Sequence, residues 1–451
     1  MSIQIETWRR RAIRRLLQLD HPISERSEAE AVVEMQRNFR WNFAFNFLDG
    51  AFFWFGVSFI SSSTILPLFV SKLTTSSILI AMVAVIGQSS WYLPQLLTAG
   101  SIERLARKKP IVVNVGFFLE RLPLFFLPIA ALLSVSYPTL ALLIFFIAYA
   151  VHGLGAGAVA PAWSDLIARC FPVERRGRFF GMTSFAGAGL GALGAGYSAW
   201  LLANFAFPIN FALVFAIAAL SIMLSWAFIA FTREPNHSEP EVATLPPARS
   251  QEKIARIVRE DLNFRRYLGA RLCSSLGLMG SAFLTVSAIE RWDVADEQVG
   301  LFTAFILIGQ TVGNLLAGLL ADKRGHKVSL EVGLCLSVST FVLAWWAPSA
   351  GWYYGVFFLL GAASGIAIVS GLLINLEFSQ PKDRPTYVGI ANTTLGVGSV
   401  VGPLLAGLIA FAGYGAVFAV SATFGLCALL ILRFWVKEPR NHRQPYSLAV
   451  A

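Results

Sequence analysis

The fold class predicted by this sequence is an all-α integral membrane protein with twelve transmembrane helices in two pseudo-symmetric six-helix bundles. Three observations predict it. The 451 residues are 56% hydrophobic and only 14% charged, with a mean hydropathy of +0.64, whereas soluble domains run near a quarter charged. The apolar residues gather in blocks of about 20, the length a helix needs to cross roughly 30 Å of hydrocarbon. The second set of blocks repeats the landmarks of the first.

Taken in order, residues 1–40 form a basic tail. Within it, Trp8 to Leu19 (WRRRAIRRLLQL) reads either as an amphipathic helix on the inner membrane face or as a disordered basic segment. No signal peptide is expected, because the first apolar run starts only after about forty residues. Residues 41–231 hold six spans, expected at 42–66, 76–99, 110–133, 138–161, 179–203 and 207–231. A polar linker, 232–264, contains Pro235, Pro240, Pro246 and Pro247 and ends in a short amphipathic helix from Lys253 to Leu262. Residues 265–436 hold six more spans, at 267–289, 299–321, 328–347, 353–377, 386–411 and 415–436, and 437–451 form a second tail. The runs must be helices, since lipid cannot satisfy open backbone groups. A β-barrel would show short alternating segments instead.

The formal net charge of +10 sets topology. Of the 36 Lys and Arg, all but Lys72, Arg121, Arg271, Arg291 and, at the end of the last span, Arg433 fall in the tails, the linker and every second loop. This positive-inside asymmetry places both termini in the cytoplasm and the protein in a plasma membrane, the bacterial inner membrane. It leaves no case for a nucleic-acid partner. Cys170, Cys273, Cys335 and Cys427 are scattered through or beside apolar runs and pair in no metal or disulfide spacing. No metal or cofactor is expected, and the chain is expected to act as a monomer.

The halves repeat each other. Asn38-Phe39-Arg40 before the first span matches Asn263-Phe264-Arg265 before the seventh. Gly153 and Gly157 in the fourth span match Gly361 and Gly365 in the tenth. Pro172, Glu174, Arg175, Gly187 and Gly189 match Pro381, Asp383, Arg384, Gly396 and Gly398 at one constant offset. The fifth span holds Gly187, Gly189, Gly191, Gly194 and Gly196, and its partner holds Gly396, Gly398, Gly402 and Gly407. Small residues of this kind let membrane helices approach closely. Gly189, Gly191 and Gly194 also fit the dinucleotide fingerprint, but without a βαβ context the match is discarded.

The stretch Gly318 to Lys327 (GLLADKRGHK) resembles the loop signature G-x-x-x-D-[RK]-x-G-[RK]-[RK] of the major facilitator superfamily. The first copy keeps the acid as Glu103 but carries Ala99 and Ala106 in place of the glycines. Gly153-Leu-Gly155-Ala-Gly157, Pro161, Pro172 and Glu174 to Arg178 are similar to the family's fourth span and following loop. The resemblance implies a secondary carrier of a small organic solute working by alternating access. It also implies a cytoplasmic latch in which Glu103 and Asp322 pair with basic groups among Arg104, Arg107, Arg175, Lys323, Arg324, Lys327 and Arg384. The alternative is that these loop charges only set orientation. Two departures matter: Tyr149 stands where many proton-linked members carry arginine, and the fifth span lacks the proline of the drug–proton antiporter motif.

Ionisable groups inside spans are costly and mark functional candidates. Asp49 shares a helix face with Asn42 and Asn46, as pathway lining or as a packing hydrogen bond. Glu120 and Arg121 lie near the midplane, as a structural pair or as part of the transport path. Arg121 is expected to reach an acid on another helix. His152 is the only histidine in a span and either titrates there or packs. Asp49, Glu120 and His152 together would allow proton-coupled uptake or efflux. Arg271 either binds an anionic solute group or snorkels to the interface. Gln88, Gln310, Asn314, Asn375 and Asn392 are further lining candidates, and Trp54, Trp91 and Trp163 either stack on solute or pack. The competing functions are a membrane enzyme, for which no catalytic set converges in sequence, and a lipid scramblase or carrier-shaped sensor.

Overall fold

Every regular element among the described residues is helical. The structure is a computed structural model describing residues 11, 14–18, 28–103, 105–235, 247–379 and 384–439. The chain folds as two units, one of Met1–Ser76, Val85–Thr244 and Ala295–Ala304, the other of Ser77–Ala84, Leu245–Val294 and Phe305–Ala451. Among the described residues, eleven helices are long and apolar enough to cross a membrane.

The first unit starts with α1 (Glu28–Ser58), a 31-residue helix. It does not count among the eleven, because Asn42, Asn46 and Asp49 and the charged residues before them interrupt its apolar face. The expected continuous span 42–66 is broken: α1 stops and α2 (Ile65–Leu73) starts afresh. Residues 59–64 fill the gap, and Ser61, Ser62, Ser63 and Thr64 among them carry hydroxyls that compete for backbone groups a helix would use. Then come α3 (Ser77–Glu103), α4 (Ile111–Leu133), α5 (Pro138–Cys170), α6 (Val173–Asn204) and α7 (Ile209–Ala230). The expected end of α5 at residue 161 is too early. Pro161 lies inside a 33-residue helix, which therefore overshoots the hydrocarbon at its basic end.

Helix α4 is irregular. It runs through π turns at Ile111–Val115 and Phe117–Arg121, a 3₁₀ turn at Leu122–Phe125, and an α-helix from Phe126. Pro123 lacks the N–H that would continue a regular ladder, and π turns concentrate at functional sites.

In the second unit, the linker helix α8 (Pro247–Glu260) leads into α9 (Leu262–Gly277). The expected amphipathic helix at 253–262 is present, displaced toward the N-terminus. Asp261 ends it by capping α9, its carboxylate accepting from the Phe264 N–H at 2.8 Å. The expected span 267–289 is broken in two, as α9 and α10 (Ser281–Trp292), with Gly277 and Gly280 at the break. There follow α11 (Asp296–Arg324), α12 (His326–Trp346), α13 (Trp352–Phe378), α14 (Arg384–Ile409) and α15 (Tyr414–Leu430).

The sequence repeat reappears as packing. In the first unit α1 lies along α6 and α7, and in the second α9 lies along α14 and α15. Gly157 on α5 meets the backbone of Ser90 and Trp91 on α3, and Gly361 and Gly365 on α13 meet the backbone of Ile306 and Gln310 on α11. No side chain fits between these helices. A Cβ on Gly153 would meet Ser90, on Gly187 Trp54, on Gly398 Ser275 and on Gly402 Met279, and Gly191 is buried. Gly189 is the exception: a side chain there would meet open space, so it is not a packing glycine.

Candidate functional site: a buried charge cluster in the first unit

The polar stripe of α1 faces α7. Asn42 clamps Arg233, three residues beyond α7, in both directions, its Oδ1 accepting from the Arg233 N–H at 2.8 Å and its Nδ2 donating to the Arg233 carbonyl at 2.9 Å. Asn46 Nδ2 donates to the Asn42 carbonyl at 2.8 Å and to Thr232 Oγ1 at 3.0 Å. Both asparagines are buried and tie α1 to the segment after α7, while Asn46 Oδ1 is left without a hydrogen-bond partner. The buried Asn42 amide, paired on both sides, contributes because leaving it unpaired would be costly.

One turn deeper, Asp49 differs. Its Oδ1 accepts from Ser225 Oγ at 2.6 Å, and its charge acts through space on Arg121. Arg121 forms an ion pair with Glu120. The direct partner of Arg121 is therefore its own neighbour Glu120, while the acid on another helix, Asp49, acts on it through space. The π turn at Phe117–Arg121 brings successive side chains closer around the axis than an α turn does, so adjacent residues can pair. The acid on another helix, Asp49, is a second neighbour. His152 Nδ1 lies 2.6 Å from the Glu120 carbonyl. A carbonyl only accepts, so Nδ1 carries the hydrogen and Nε2 is left to accept a proton.

Asp49, Glu120, Arg121 and His152 are all buried. One carboxylate, that of Glu120, thus pairs with the guanidinium, Asp49 acts on it through space, and an imidazole is held by the Glu120 backbone. Arg121 Nε is buried without a hydrogen-bond partner. Tyr149, at the position where the resemblance leads one to look for arginine, is buried and stacks beside His152 at 6.5 Å between ring centroids. The structure therefore gathers the acids and the histidine into one cluster.

In the second unit, Arg271 points across to α13, its guanidinium lying beside Gly371. Arg271 Nε, Tyr267 Oη, Asn375 Oδ1 and Asn314 Oδ1 are buried without hydrogen-bond partners. Asn375 Nδ2 donates to the Gly371 carbonyl at 2.9 Å. Gln88, Gln310 and Asn392 are half-buried. Trp54 packs on Gly187, Trp163 on the core at the basic end, and Trp91 is exposed.

The residues expected to form a cytoplasmic latch fall only partly within the described residues. The side chains of Glu103, Asp322 and Arg384 and the whole of Arg104 lie outside the described residues. Arg175 sits over the Phe39 ring at 4.7 Å, Lys323 and Arg324 are exposed, and Arg107 lines a cavity. Lys327 pairs with Glu331 at 3.4 Å, and Arg433 meets the same acid at 3.3 Å. Gly325, the turn glycine of the better loop copy, adopts φ +87° and ψ 163°, a conformation essentially restricted to glycine.

Two acids escaped the sequence reading. Glu234 caps the start of α4, accepting from the Lys108 N–H at 2.9 Å and the Lys109 N–H at 2.9 Å, and Arg169 Nη1 approaches it at 3.6 Å. Glu438 lies against Gly325, which precedes α12. Arg233-Glu234-Pro235 and Lys437-Glu438-Pro439 are the matching signal, one copy after the last helix of each half. Burial, and secondarily Arg169, hold the Lys108 ammonium below the usual lysine range.

Comparison with known proteins agrees with this architecture. The model of the Major Facilitator Superfamily matches residues 120–291 and 267–448. Among curated relatives, the chain is 27% identical over 173 residues to the probable anion transporter 4, chloroplastic, of Arabidopsis thaliana, covering 37% of this chain and 32% of that protein. It is 29% identical over 205 residues to the probable vesicular acetylcholine transporter-B of Danio rerio, covering 42% and 41%, and 24% identical over 164 residues to multidrug resistance protein 1 of Bacillus subtilis (strain 168), covering 35% and 41%. The matched part thus spans a third to two fifths of these relatives' own length. Among solved structures, a D-xylose–proton symporter aligns with TM-score 0.66 at 16% identity, over 89% of this chain and 99% of the other. The nucleoside transporter NupG aligns with TM-score 0.65 at 11% identity, over 86% and 97%. With the family model matched at residues 120–291 and 267–448, the chain belongs to the Major Facilitator Superfamily and is a multi-pass membrane protein.

Proposed function

We propose that the protein is a proton-coupled secondary carrier of a small organic solute, moving by alternating access between halves at 41–231 and 265–436, with both termini cytoplasmic. The observation that carries the coupling is the buried excess of acid over base: Asp49 and Glu120 against Arg121, with His152 hydrogen-bonded to the Glu120 backbone. A low-dielectric site with one surplus negative charge is stabilised by taking up a proton. Groups of this kind inside spans form proton relays. The lack of arginine at Tyr149 does not remove the cation; Arg121 supplies one from α4.

On the solute side, Arg271 and Tyr267 present buried donors that lack acceptors, which favours a solute with an anionic or strongly accepting group. Relatives described as transporters of anions, of acetylcholine and of drugs span both charges, so the solute class rests on Arg271 rather than on them. The test is a thermal-shift screen of the purified protein against metabolites and drugs, since a ligand stabilises the state it binds. Hits should be enriched in carboxylates or phosphates and lost in Arg271→Gln; hits indifferent to that substitution overturn the assignment. Assaying the same proteoliposomes for flipping of a fluorescent lipid separates a carrier from a scramblase.

A further inference from the structure

The basic end of the first unit holds a cavity of about 630 Å³ between α1, α4 and α7. Its lining includes three cations, Arg107, Lys109 and Arg233, and one acid, Glu234. The acid is engaged by the Lys108 and Lys109 N–H groups and approached by Arg169, so the lining presents positive charge. Arg233 is held in place: its guanidinium lies 4.1 Å from the Trp41 ring centroid and donates to Asn38 Oδ1 at 3.3 Å. Trp41 Nε1 in turn donates to the Phe231 carbonyl at 2.9 Å. A tryptophan-backed arginine where apolar helices give way to polar loops sits at headgroup depth.

The cavity also opens onto grease. From Phe231, an exposed stripe continues along α7 through Leu224 and Leu220, with 56%, 41% and 60% of these residues exposed. The spacing places them on one helix face. A soluble anion has no use for such a stripe; an acyl chain does. Basic pockets between membrane helices on the cytoplasmic side are the usual seats of acidic headgroups.

We propose that this cavity binds the phosphodiester headgroup of an anionic phospholipid through Arg107, Lys109 and Arg233, with an acyl chain along Leu224 and Leu220. Burial also pulls the Lys109 ammonium below the ordinary lysine range, with Glu234 as the chief opposing cause. A bound phosphate would offset that cost. The site does not depend on which solute is carried.

The test uses the full-length protein in neutral detergent. Thermal unfolding is followed on adding phosphatidylglycerol, phosphatidylcholine, or soluble glycerol 3-phosphate and inorganic phosphate. Phosphatidylglycerol should raise the midpoint by several degrees more than phosphatidylcholine, and native mass spectrometry should show it retained. Arg107→Gln/Lys109→Gln should weaken that lipid's apparent affinity at least tenfold, while Arg256→Gln/Arg259→Gln, which removes exposed cations elsewhere, should leave it unchanged. Equal shifts from both lipids, an equal shift from the soluble phosphates, or equal loss in both double variants each overturn the proposal. If the first double variant does not fold, Leu224→Gln and the wild-type lipid series still decide it.

Discussion

Replacing Arg121 by methionine isolates the electrostatics of the buried cluster. Methionine keeps much of the volume and removes the one guanidinium facing Glu120 and Asp49. Breaking a buried pair from one side costs about 3–5 kcal/mol, because the remaining charge is left uncompensated. At 1.4 kcal/mol per decade that is roughly a hundredfold to a few thousandfold in the folded fraction. Glu120→Gln and Asp49→Asn should each cost less, since Arg121 keeps one of its two acids in either variant. The triple variant Asp49→Asn/Glu120→Gln/Arg121→Met should regain stability relative to Arg121→Met alone, as neutral groups carry no such desolvation penalty. Denaturant unfolding of the purified protein in mixed micelles gives all four values. If Arg121→Met is no less stable than Glu120→Gln, or if the triple variant is the worst of the set, the cluster is not held by charge compensation.

Three further outcomes follow from the geometry. Gly325→Ala should destabilise by about 1–3 kcal/mol, since only glycine readily adopts that backbone conformation and the new methyl would approach the Glu438 carboxylate at 2.7 Å; thermal unfolding reads this directly. Gly157→Ala should cost more than about 1 kcal/mol by forcing α5 off α3, whereas Gly189→Ala should be neutral or slightly stabilising, and unchanged ranking in paired unfolding curves checks both. For Lys108, the folded-state pKa lies below the ordinary value of 10.5, so the buried ammonium costs stability below that lowered pKa and the cost fades as pH rises toward 10.5. Wild-type stability should therefore climb across that alkaline window relative to Lys108→Met; parallel pH profiles for the two proteins would remove burial of the charge as the cause.

The spans, the repeat and the members of the buried cluster were legible in the amino-acid order because each depends on composition or on helical spacing. Asp49, Glu120 and His152 stood out simply as polar groups in apolar runs. Their partners did not. That Asn42 and Asn46 clasp Arg233 and Thr232 is tertiary information, as is the hydroxyl of Ser225 on Asp49. The pairing of Arg121 with its own neighbour depends on a π turn upstream of Pro123, where the α-helical angle between adjacent residues no longer applies. The breaks at Ser61–Thr64 and Gly277–Gly280 were visible as residue types but hidden by the continuity of the hydrophobic signal. Glu234 and Glu438 were readable, since both sit in a basic-Glu-Pro triplet after the last helix of a half.

The central claim is that proton movement at Asp49 and its neighbours drives solute across the membrane. It is tested most directly by reconstituting the protein in proteoliposomes and measuring flux of a solute identified by thermal shift, with and without an imposed pH gradient, for wild type and Asp49→Asn. A gradient should accelerate wild-type flux severalfold and leave Asp49→Asn indifferent to it while that variant still exchanges solute. Wild-type flux that ignores the gradient, or a variant that responds to it as wild type does, would contradict the account.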